Sequence, residues 1–205
     1  EGGLTVLKLT GVAPLDKVAN WSSYGEYDGL LAVSVRALLV VDDALWIGTD
    51  DGLFRVGVDE LADPEAWTVH QDALLEGIRA LCMHDGALYA GTTEGLVRVD
   101  MTTGAASPVG GVGSAVSDLA SDGETLYVAG ESGLQTFAGG ASTGWITFGE
   151  IVHAVESADG DVFYGNNEGL TRVSDGSVVY GEWTITALNY GDDALWVASA
   201  GNSDG

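Results

Sequence analysis

Ala44-Leu45-Trp46-Ile47-Gly48-Thr49-Asp50-Asp51-Gly52-Leu53-Phe54-Arg55-Val56 is the stretch that decides the fold, because most of the chain repeats it. It opens with an apolar, aromatic run over 45–49, passes through a polar turn at 50–52, and ends in a run whose side chains alternate between two faces. Runs of this kind joined by a short polar turn indicate two antiparallel strands. The stretch therefore predicts a β-hairpin.

Three further copies follow at 87–99, 125–137 and 161–173, and a fifth begins at residue 194 and stops after its first strand. The aromatic position of the copies falls 43, 38, 36 and 33 residues apart, at Trp46, Tyr89, Tyr127, Phe163 and Trp196. Repeats of this length that carry only strand and turn signals predict the blades of a β-propeller, since helical repeats would show a period of 3.6 residues.

A second strand template precedes each hairpin, and its variable position moves by the same steps, through Arg36, Arg79, Ser117, His153 and Thr186. Acidic turns join it to the hairpin, and pairs such as Asp85-Gly86 and Asp159-Gly160 indicate tight connections. A weaker outer strand follows each hairpin. In the second repeat this strand contains Pro108, which fits an edge strand and little else in a sheet.

Four strands in each of five units predict one all-β domain over 1–205, a five-bladed β-propeller with antiparallel blades. Four blades span about 34–75, 76–113, 114–149 and 150–184, and the fifth is shared by 1–33 and 185–205. Gly3-Leu4 matches Gly52-Leu53, so residues 4–9 are expected to pair with 194–199 and close the ring. The alternative is a fragment of a longer propeller.

These residues resemble the two-component regulator propeller repeat, whose hallmark is a Leu-Trp-Ile-Gly-Thr strand followed by a Gly-Leu strand with Arg near its end. The resemblance covers the chain from Val35 onward and is strongest over 45–55. It implies a β-propeller of the kind often found in the extracytoplasmic sensor part of a signalling protein. Neither a histidine-kinase segment nor a DNA-binding segment occurs in this sequence, so the resemblance carries the fold and not the signalling role.

The charge is strongly one-sided, with 31 acidic residues against seven Lys and Arg and a formal net charge of −24. Such a surface repels nucleic acid and anionic lipid head groups, whose non-specific binding needs clustered Lys and Arg. We therefore expect no nucleic-acid partner. The extracellular or cell-surface location is what the resemblance to the propeller repeat implies. Near-absence of Lys favours a halophilic source over an ordinary acidic secreted protein, because it exceeds what solubility requires.

The single cysteine, Cys82, excludes an intrachain disulfide and lies in an apolar run, which favours a buried, inert thiol. No apolar run approaches 18 residues, so no direct membrane insertion is expected. The chain begins at Glu1, which suggests a processed protein or an excised piece.

In a propeller the innermost strands line the central channel, so the variable template position forms a ring: Arg36, Arg79, Ser117, His153 and Thr186. Two guanidinium groups, an imidazole and two hydroxyls favour a small anion or a carboxylate as ligand. The alternative is structural: each Arg is tied to a carbonyl or carboxylate of a neighbouring blade. Asp118, next to Ser117, is expected to point away from the ring because side chains alternate along a strand.

An enzyme is not expected. Glycoside hydrolases on this architecture need facing carboxylates on inner strands, and only Asp118 stands on the template, with Glu150 and Glu156 flanking His153. The three histidines are too scattered for a metal site, and no cofactor motif is present. The aromatic cluster Trp21, Tyr24 and Tyr27 fits the cover of an outer strand better than a sugar-stacking patch.

The sequence therefore predicts a non-catalytic, extracellular propeller that binds a protein partner or a small anionic ligand. The first alternative is a structural subunit of a cell-surface or filamentous assembly, formed by self-association. A glycan-binding lectin or a glycoside hydrolase is a weaker alternative.

Overall fold

The computed structural model describes residues 3–7, 21–30 and 34–200. The described residues form twenty strands and three short 3₁₀ helices, and all strand pairs are antiparallel, so the all-β prediction is confirmed. Within the described ranges, no helix has the length and apolarity needed to cross a membrane. The chain divides into two compact units, residues 1–78 and 79–205, which are described separately. The single-domain expectation stays a prediction.

The first unit contains two sheets. Strand β1 (Leu4–Leu7) pairs with β2 (Trp21–Tyr24). The other sheet has the order β3-β4-β5-β6, with bounds Val35–Val41, Ala44–Thr49, Leu53–Gly57 and Thr68–His70. The apolar faces of the two sheets pack together around Leu4, Ile47 and Phe54, which are almost fully buried. Tyr24 contributes to this packing and lies 6.5 Å from Trp67 between ring centroids, as expected for aromatic cover. Tyr27 is 95% exposed, so the expectation of aromatic cover is wrong for this residue.

The second unit contains three four-stranded sheets and one pair. The first sheet holds β7 to β10, at Ile78–His84, Ala87–Thr92, Leu96–Val99 and Ala106–Pro108, with Ile78 at the unit boundary. The next holds β11 to β14, at Val116–Ser121, Leu126–Gly130, Gly133–Ala138 and Ala141–Phe148. The third holds β15 to β18, at Val152–Ala158, Asp161–Asn166, Gly169–Arg172 and Val178–Gly181. Strands β19 (Thr184–Gly191) and β20 (Ala194–Ala200) form the pair.

Each sheet follows chain order from the inner to the outer strand, so the predicted hairpins and outer strands are confirmed. Pro108 ends the edge strand β10, where its missing N–H leaves no gap in a ladder. In the turns before β8 and β16, both central residues adopt positive φ, at Asp85-Gly86 and Asp159-Gly160. That conformation matches the tight hairpin turn predicted from these pairs.

The core of the second unit lies between successive sheets. One cluster joins the first two sheets through Tyr89, Leu96, Leu126 and Phe137, and another joins the next two through Leu134, Val155 and Tyr164. Except for Val155, which lies on the inner strand β15, these side chains come from the strands of the repeat hairpins. The period-2 pattern of the sequence therefore corresponds to sheets packed face to face.

The Thr and Gly of the repeat build the hairpin turn. Thr49 Oγ1 donates to the carbonyl of Gly52 at 2.8 Å and accepts from the N–H of Asp51 at 3.1 Å. Gly52 has φ of 144°, a region that other residues rarely adopt. In the fourth repeat Asn166 replaces the Thr, and its Oδ1 accepts from two backbone N–H groups of the turn.

The Gly before that Thr has a different role, because the next inner strand packs directly on it. In the second unit, a Cβ added at Gly91 would lie 2.5 Å from Cγ1 of Val116, and one at Gly165 would meet Ile185 in the same way. No ordinary Cβ contact is that short. The repeat Gly therefore permits the close approach of successive sheets.

The repeat Arg pairs across the hairpin with the repeat aromatic residue. Trp46 is the direct partner of Arg55, and the guanidinium carbon lies 5.7 Å from the ring centroid. Phe163 and Arg172 repeat this geometry at 5.7 Å, and Tyr89 stands opposite Arg98 in the ladder. A cation over an aromatic face is attracted by the ring quadrupole, so this Arg stabilises its own hairpin.

The predicted closing pair is not among the ladders of the described residues. There, β1 pairs with β2 and β20 pairs with β19, while residues 8 and 9 lie outside the described ranges. Trp196 on β20 is 63% exposed, whereas its equivalent Trp46 is 2% exposed. Five-bladed closure therefore stays a prediction.

Candidate functional site

The variable position of the inner strands lies in a β-bulge. The ladder between β3 and β4 passes from Val35 to Ala37 and leaves out Arg36. The ladders of β11, β15 and β19 leave out the equivalent residues, Ser117, His153 and Thr186. A bulge removes one residue from the ladder and redirects its side chain. Four of the five predicted ring residues therefore share a backbone feature that places a polar side chain at one fixed point of each sheet.

Arg36 is already paired. Its Nε and Nη2 donate to the two carboxylate oxygens of Asp50, at 3.1 and 3.0 Å, and both side chains are exposed. Asp50 lies in the turn between β4 and β5, in the same sheet as Arg36. The expectation that the structural partner would come from a neighbouring blade is therefore wrong for this residue. The bulge brings Arg36 within reach of the turn of its own hairpin.

His153 repeats this arrangement in the second unit. Its Nε2 lies 2.9 Å from Oδ1 of Asn167, and both pairs join a bulge residue to the turn residue 14 positions later. Thr186 Oγ1 donates to the carbonyl of Ala198 in the partner strand at 3.3 Å. Arg79 is exposed and makes no ion pair with a described residue of its own unit. Arg79 is thus the ring cation whose hydrogen-bond donors are not already engaged within its unit.

Asp118, next to the bulge residue Ser117, is partly buried and bonds to the neighbouring inner strand. The expectation that it points away from the ring stays a prediction. Asp118 Oδ2 accepts from the backbone N–H of Val155 on β15 at 2.9 Å, and its Oδ1 accepts from the N–H of Leu119. Burial, with a smaller contribution from the charge of Glu156, raises the pKa of Asp118 to about 7, against the effect of these hydrogen bonds. The carboxylate links the inner strands of two successive sheets. The equivalent residue in the other four repeats is Ala, so the sequence shows that Asp118 is unusual. It does not reveal the hydrogen bond to Val155.

Glu156 and Cys82 belong to the same region of the second unit. Burial raises the pKa of Glu156, and its Oε1 accepts from the N–H of Ser157 at 3.0 Å. Burial, followed by the charges of Asp118 and Glu156, raises the pKa of the Cys82 thiol to about 12. A thiol with a raised pKa is a poor nucleophile, in agreement with the inert role expected for it. The carboxylates of Asp118 and Glu156 both accept hydrogen bonds from backbone N–H groups, which is consistent with a structural role.

In the part of the chain that the structure describes, no three His, Cys, Asp or Glu side chains converge to hold a metal ion. His84 Nδ1 lies 2.8 Å from Ser121 Oγ, and His70 stacks on Trp46 with centroids 5.9 Å apart. His70, His84 and His153 therefore have separate surroundings.

The comparisons with known proteins concern the fold. No family model and no curated protein sequence matches this chain. It is similar to the extracellular domain assigned to the hybrid two-component system BT3049 of B. thetaiotaomicron, with a TM-score of 0.65, 14% identity, and coverage of 88% of this chain and 28% of that chain. The likeness is one of fold alone.

Two further solved structures agree. The extracellular domain assigned to the one-component system BT4673 of B. thetaiotaomicron gives a TM-score of 0.63 at 15% identity, over 80% of this chain and 25% of that chain. The computationally designed Ika8 protein gives 0.61 at 17% identity, over 82% of this chain and 56% of that one. The chain thus spans about a quarter of the length of the two extracellular domains it matches. None of these matches identifies a ligand for the bulge residues.

Proposed function

We propose that this chain is a non-catalytic β-propeller module of an extracellular protein, and that it senses a small anion or carboxylate at the ring residues of its inner strands, Arg36, Arg79, Ser117, His153 and Thr186. The observation that carries the proposal is the bulge recurring at one position in β3, β11, β15 and β19. Bulges often occur next to functional sites, where they redirect a side chain. The redirected residues are polar although the next template residue is mostly Ala.

Charge supports an anion as the ligand. The protein carries a net charge of −24, so cations concentrated at one template position are the exception on its surface. Among the described residues of its unit, Arg79 has no ion-pair partner, so its guanidinium is available, and His153 and Ser117 add hydrogen-bonding groups in that unit. A guanidinium binds a carboxylate through two parallel hydrogen bonds, which makes the contact specific. Arg36 would contribute to anion binding only if its guanidinium released Asp50 and bound the ligand in its place.

The extracellular location is supported by the fold, which is similar to extracellular domains assigned to one-component and hybrid two-component systems. The acidic surface separately disfavours nucleic acid as a partner. The sensing role rests on two features together: the likeness to these extracellular domains, and the polar ring residues that could bind a ligand.

Isothermal titration calorimetry against sulfate, phosphate and simple carboxylates tests this proposal. The intact chain should bind at least one of them, and the double variant Arg36→Gln and Arg79→Gln should lose binding while keeping its melting temperature. Arg98→Gln is the matched control, because Arg98 is an exposed Arg of the repeat outside the ring. Arg79→Gln alone should lose more affinity than Arg36→Gln alone.

Two results would overturn the anion site. One is no heat of binding from any of these anions with the intact chain. The other is a double variant whose melting temperature falls well below that of both the intact chain and Arg98→Gln. That second result would show that the ring is structural.

A different observation favours the alternative function, a subunit of a self-associating surface assembly. Residues 101–117 and 132–149 of the second unit contain no charged side chain.

A further inference from the structure

Two stretches of the sequence are free of charge in a protein that is otherwise densely acidic. Residues 101–117 and 132–149 contain no Asp, Glu, Lys, Arg or His, and they are the longest such stretches in the chain. Carboxylates border both, at Asp100 and Asp118 and at Glu131 and Glu150. Their length shows that the acidic surface is interrupted in two places.

The fold brings the two stretches side by side within the second unit. Residues 101–117 form the edge strand β10 and the loop to β11, and residues 132–149 form β13 and β14. Ser114 Oγ and Ser132 Oγ are 2.9 Å apart, and a Cβ at Gly111 would lie 3.7 Å from the Cβ of Ser142. Val112 and Trp145 line one small shared pocket. We call the exposed residues of both stretches the uncharged surface.

Aromatic side chains stand on this surface. Phe148 is 75% exposed and Trp145 is 41% exposed, and their rings meet edge to face with centroids 5.1 Å apart. Ile146 lies between them and is also exposed. Exposed aromatic residues are enriched, and charged residues depleted, at the centre of protein–protein interfaces. Glu131 and Glu150 border this surface near Phe148, so they would lie at the rim of such an interface.

The shape of β14 favours contact through side chains over addition of another strand. Its ladder with β13 omits Thr143 and Ile146, so that two bulges bend this edge strand. Bulges at an edge disfavour pairing with a further strand. The partner therefore meets the aromatic side chains and not the backbone edge.

The net charge of the protein favours a second copy of this chain as the partner. A basic protein would bind the acidic part of the surface, outside the uncharged surface, because opposite charges attract. A second copy of this chain carries the same charge of −24 and is repelled there, because like charges across an interface are unfavourable. The uncharged surface is the place where two such copies can approach. A two-fold arrangement would bring the same patch of each copy together.

We propose that the uncharged surface is a self-association interface, in which Phe148 and Trp145 of one copy pack against the same surface of a second copy. This inference does not depend on the proposed anion site. Because long-range repulsion between the acidic remainders opposes association, salt strengthens it by screening.

Sedimentation equilibrium in low and molar NaCl tests the interface. The intact chain should form dimers more tightly in molar salt, and Phe148→Glu should raise the dimer dissociation constant by at least about tenfold, since it places a carboxylate in the interface. Val178→Glu is the matched control, because Val178 is a 63% exposed apolar residue on the outer strand β18, outside the uncharged surface. Circular dichroism should show that both variants keep the fold.

The inference is overturned if the intact chain stays monomeric at about 1 mM in both salts, or if Val178→Glu weakens the dimer as much as Phe148→Glu. Dimers whose hydrogen-exchange protection lies outside 101–117 and 132–149 would overturn it as well. Anion calorimetry on Phe148→Glu separates the two proposals, since the anion site should be unaffected by this change.

Discussion

The carboxylate of Asp118 accepts a hydrogen bond from the backbone N–H of Val155, 2.9 Å away, and so joins the inner strand of one sheet to the inner strand of the next. The equivalent residue in the other four repeats is Ala. Among the five repeats, only the one that contains Asp118 therefore has an ionisable side chain at this position. The stability of this contact between two sheets should depend on pH.

Asp118→Asn should remove that dependence. The pKa of Asp118 is raised from 3.8 to about 7, chiefly by burial, so between these values the folded protein holds a proton that the unfolded chain has released. Stability from this group is complete below pH 3.8 and falls as pH rises towards 7. Asn keeps an oxygen for Val155 and never ionises. The free energy of unfolding of the variant, relative to the intact chain, should rise by a few kcal/mol from pH 4 to 7.5.

Urea unfolding at several pH values measures this effect. Glu94→Gln serves as the control, because Glu94 is an exposed turn residue. Glu156→Gln should show a smaller change of the same sign, since burial also raises the pKa of Glu156. If Asp118→Asn and the intact chain keep a constant difference across this range, the buried carboxylate does not set the pH dependence.

Arg55→Gln should destabilise the first repeat hairpin. The guanidinium lies 5.7 Å from the centroid of the Trp46 ring, a contact of about 0.5–1 kcal/mol at an exposed site. Arg98→Gln is the comparison, since Arg98 stands opposite the smaller ring of Tyr89. Denaturant unfolding should show the larger loss for Arg55→Gln. Equal losses of unfolding free energy in the two variants would mean that the contact of the Arg55 guanidinium with the Trp46 ring adds no stability beyond that of the Arg98–Tyr89 pair.

Gly91→Ala should weaken the packing of two successive sheets. The added Cβ would lie 2.5 Å from Cγ1 of Val116, a residue with 1% exposure in the core, so a strand must shift. Overpacking of this kind costs about 1–3 kcal/mol. Gly113→Ala is the control, because nothing lies within 4 Å of a Cβ at that position. A thermal melt in which both variants lose equally would contradict the close approach.

The melting temperature should rise with salt if the acidic surface is a halophilic adaptation. The net charge is −24, and the screening length shortens from about 30 Å at 0.01 M salt to about 3 Å at 1 M, so repulsion among carboxylates weakens. Potassium chloride should be compared with an equal osmolarity of sucrose, which does not screen charge. A melting temperature that is the same in millimolar and molar salt would contradict the halophilic origin and leave the fold untouched.

The sequence by itself determined the strands, their order and the turns, because each of these depends on residues close together in the chain. Thr49 and Gly52 build their turn within four residues, and Trp46 faces Arg55 across a single hairpin. Repetition made these local signals reliable, because two strand templates move along the chain by the same steps of 43, 38, 36 and 33 residues.

Only the tertiary structure decided what the template positions do. A bulge moves Arg36 and His153 out of their ladders and towards Asp50 and Asn167, and no period-2 pattern reveals an extra residue in one strand. The bond from Val155 to Asp118 and the meeting of 101–117 with 132–149 join residues far apart in sequence. Local propensity acts over a few residues, whereas these contacts depend on how sheets stack, which is set by packing of their buried faces.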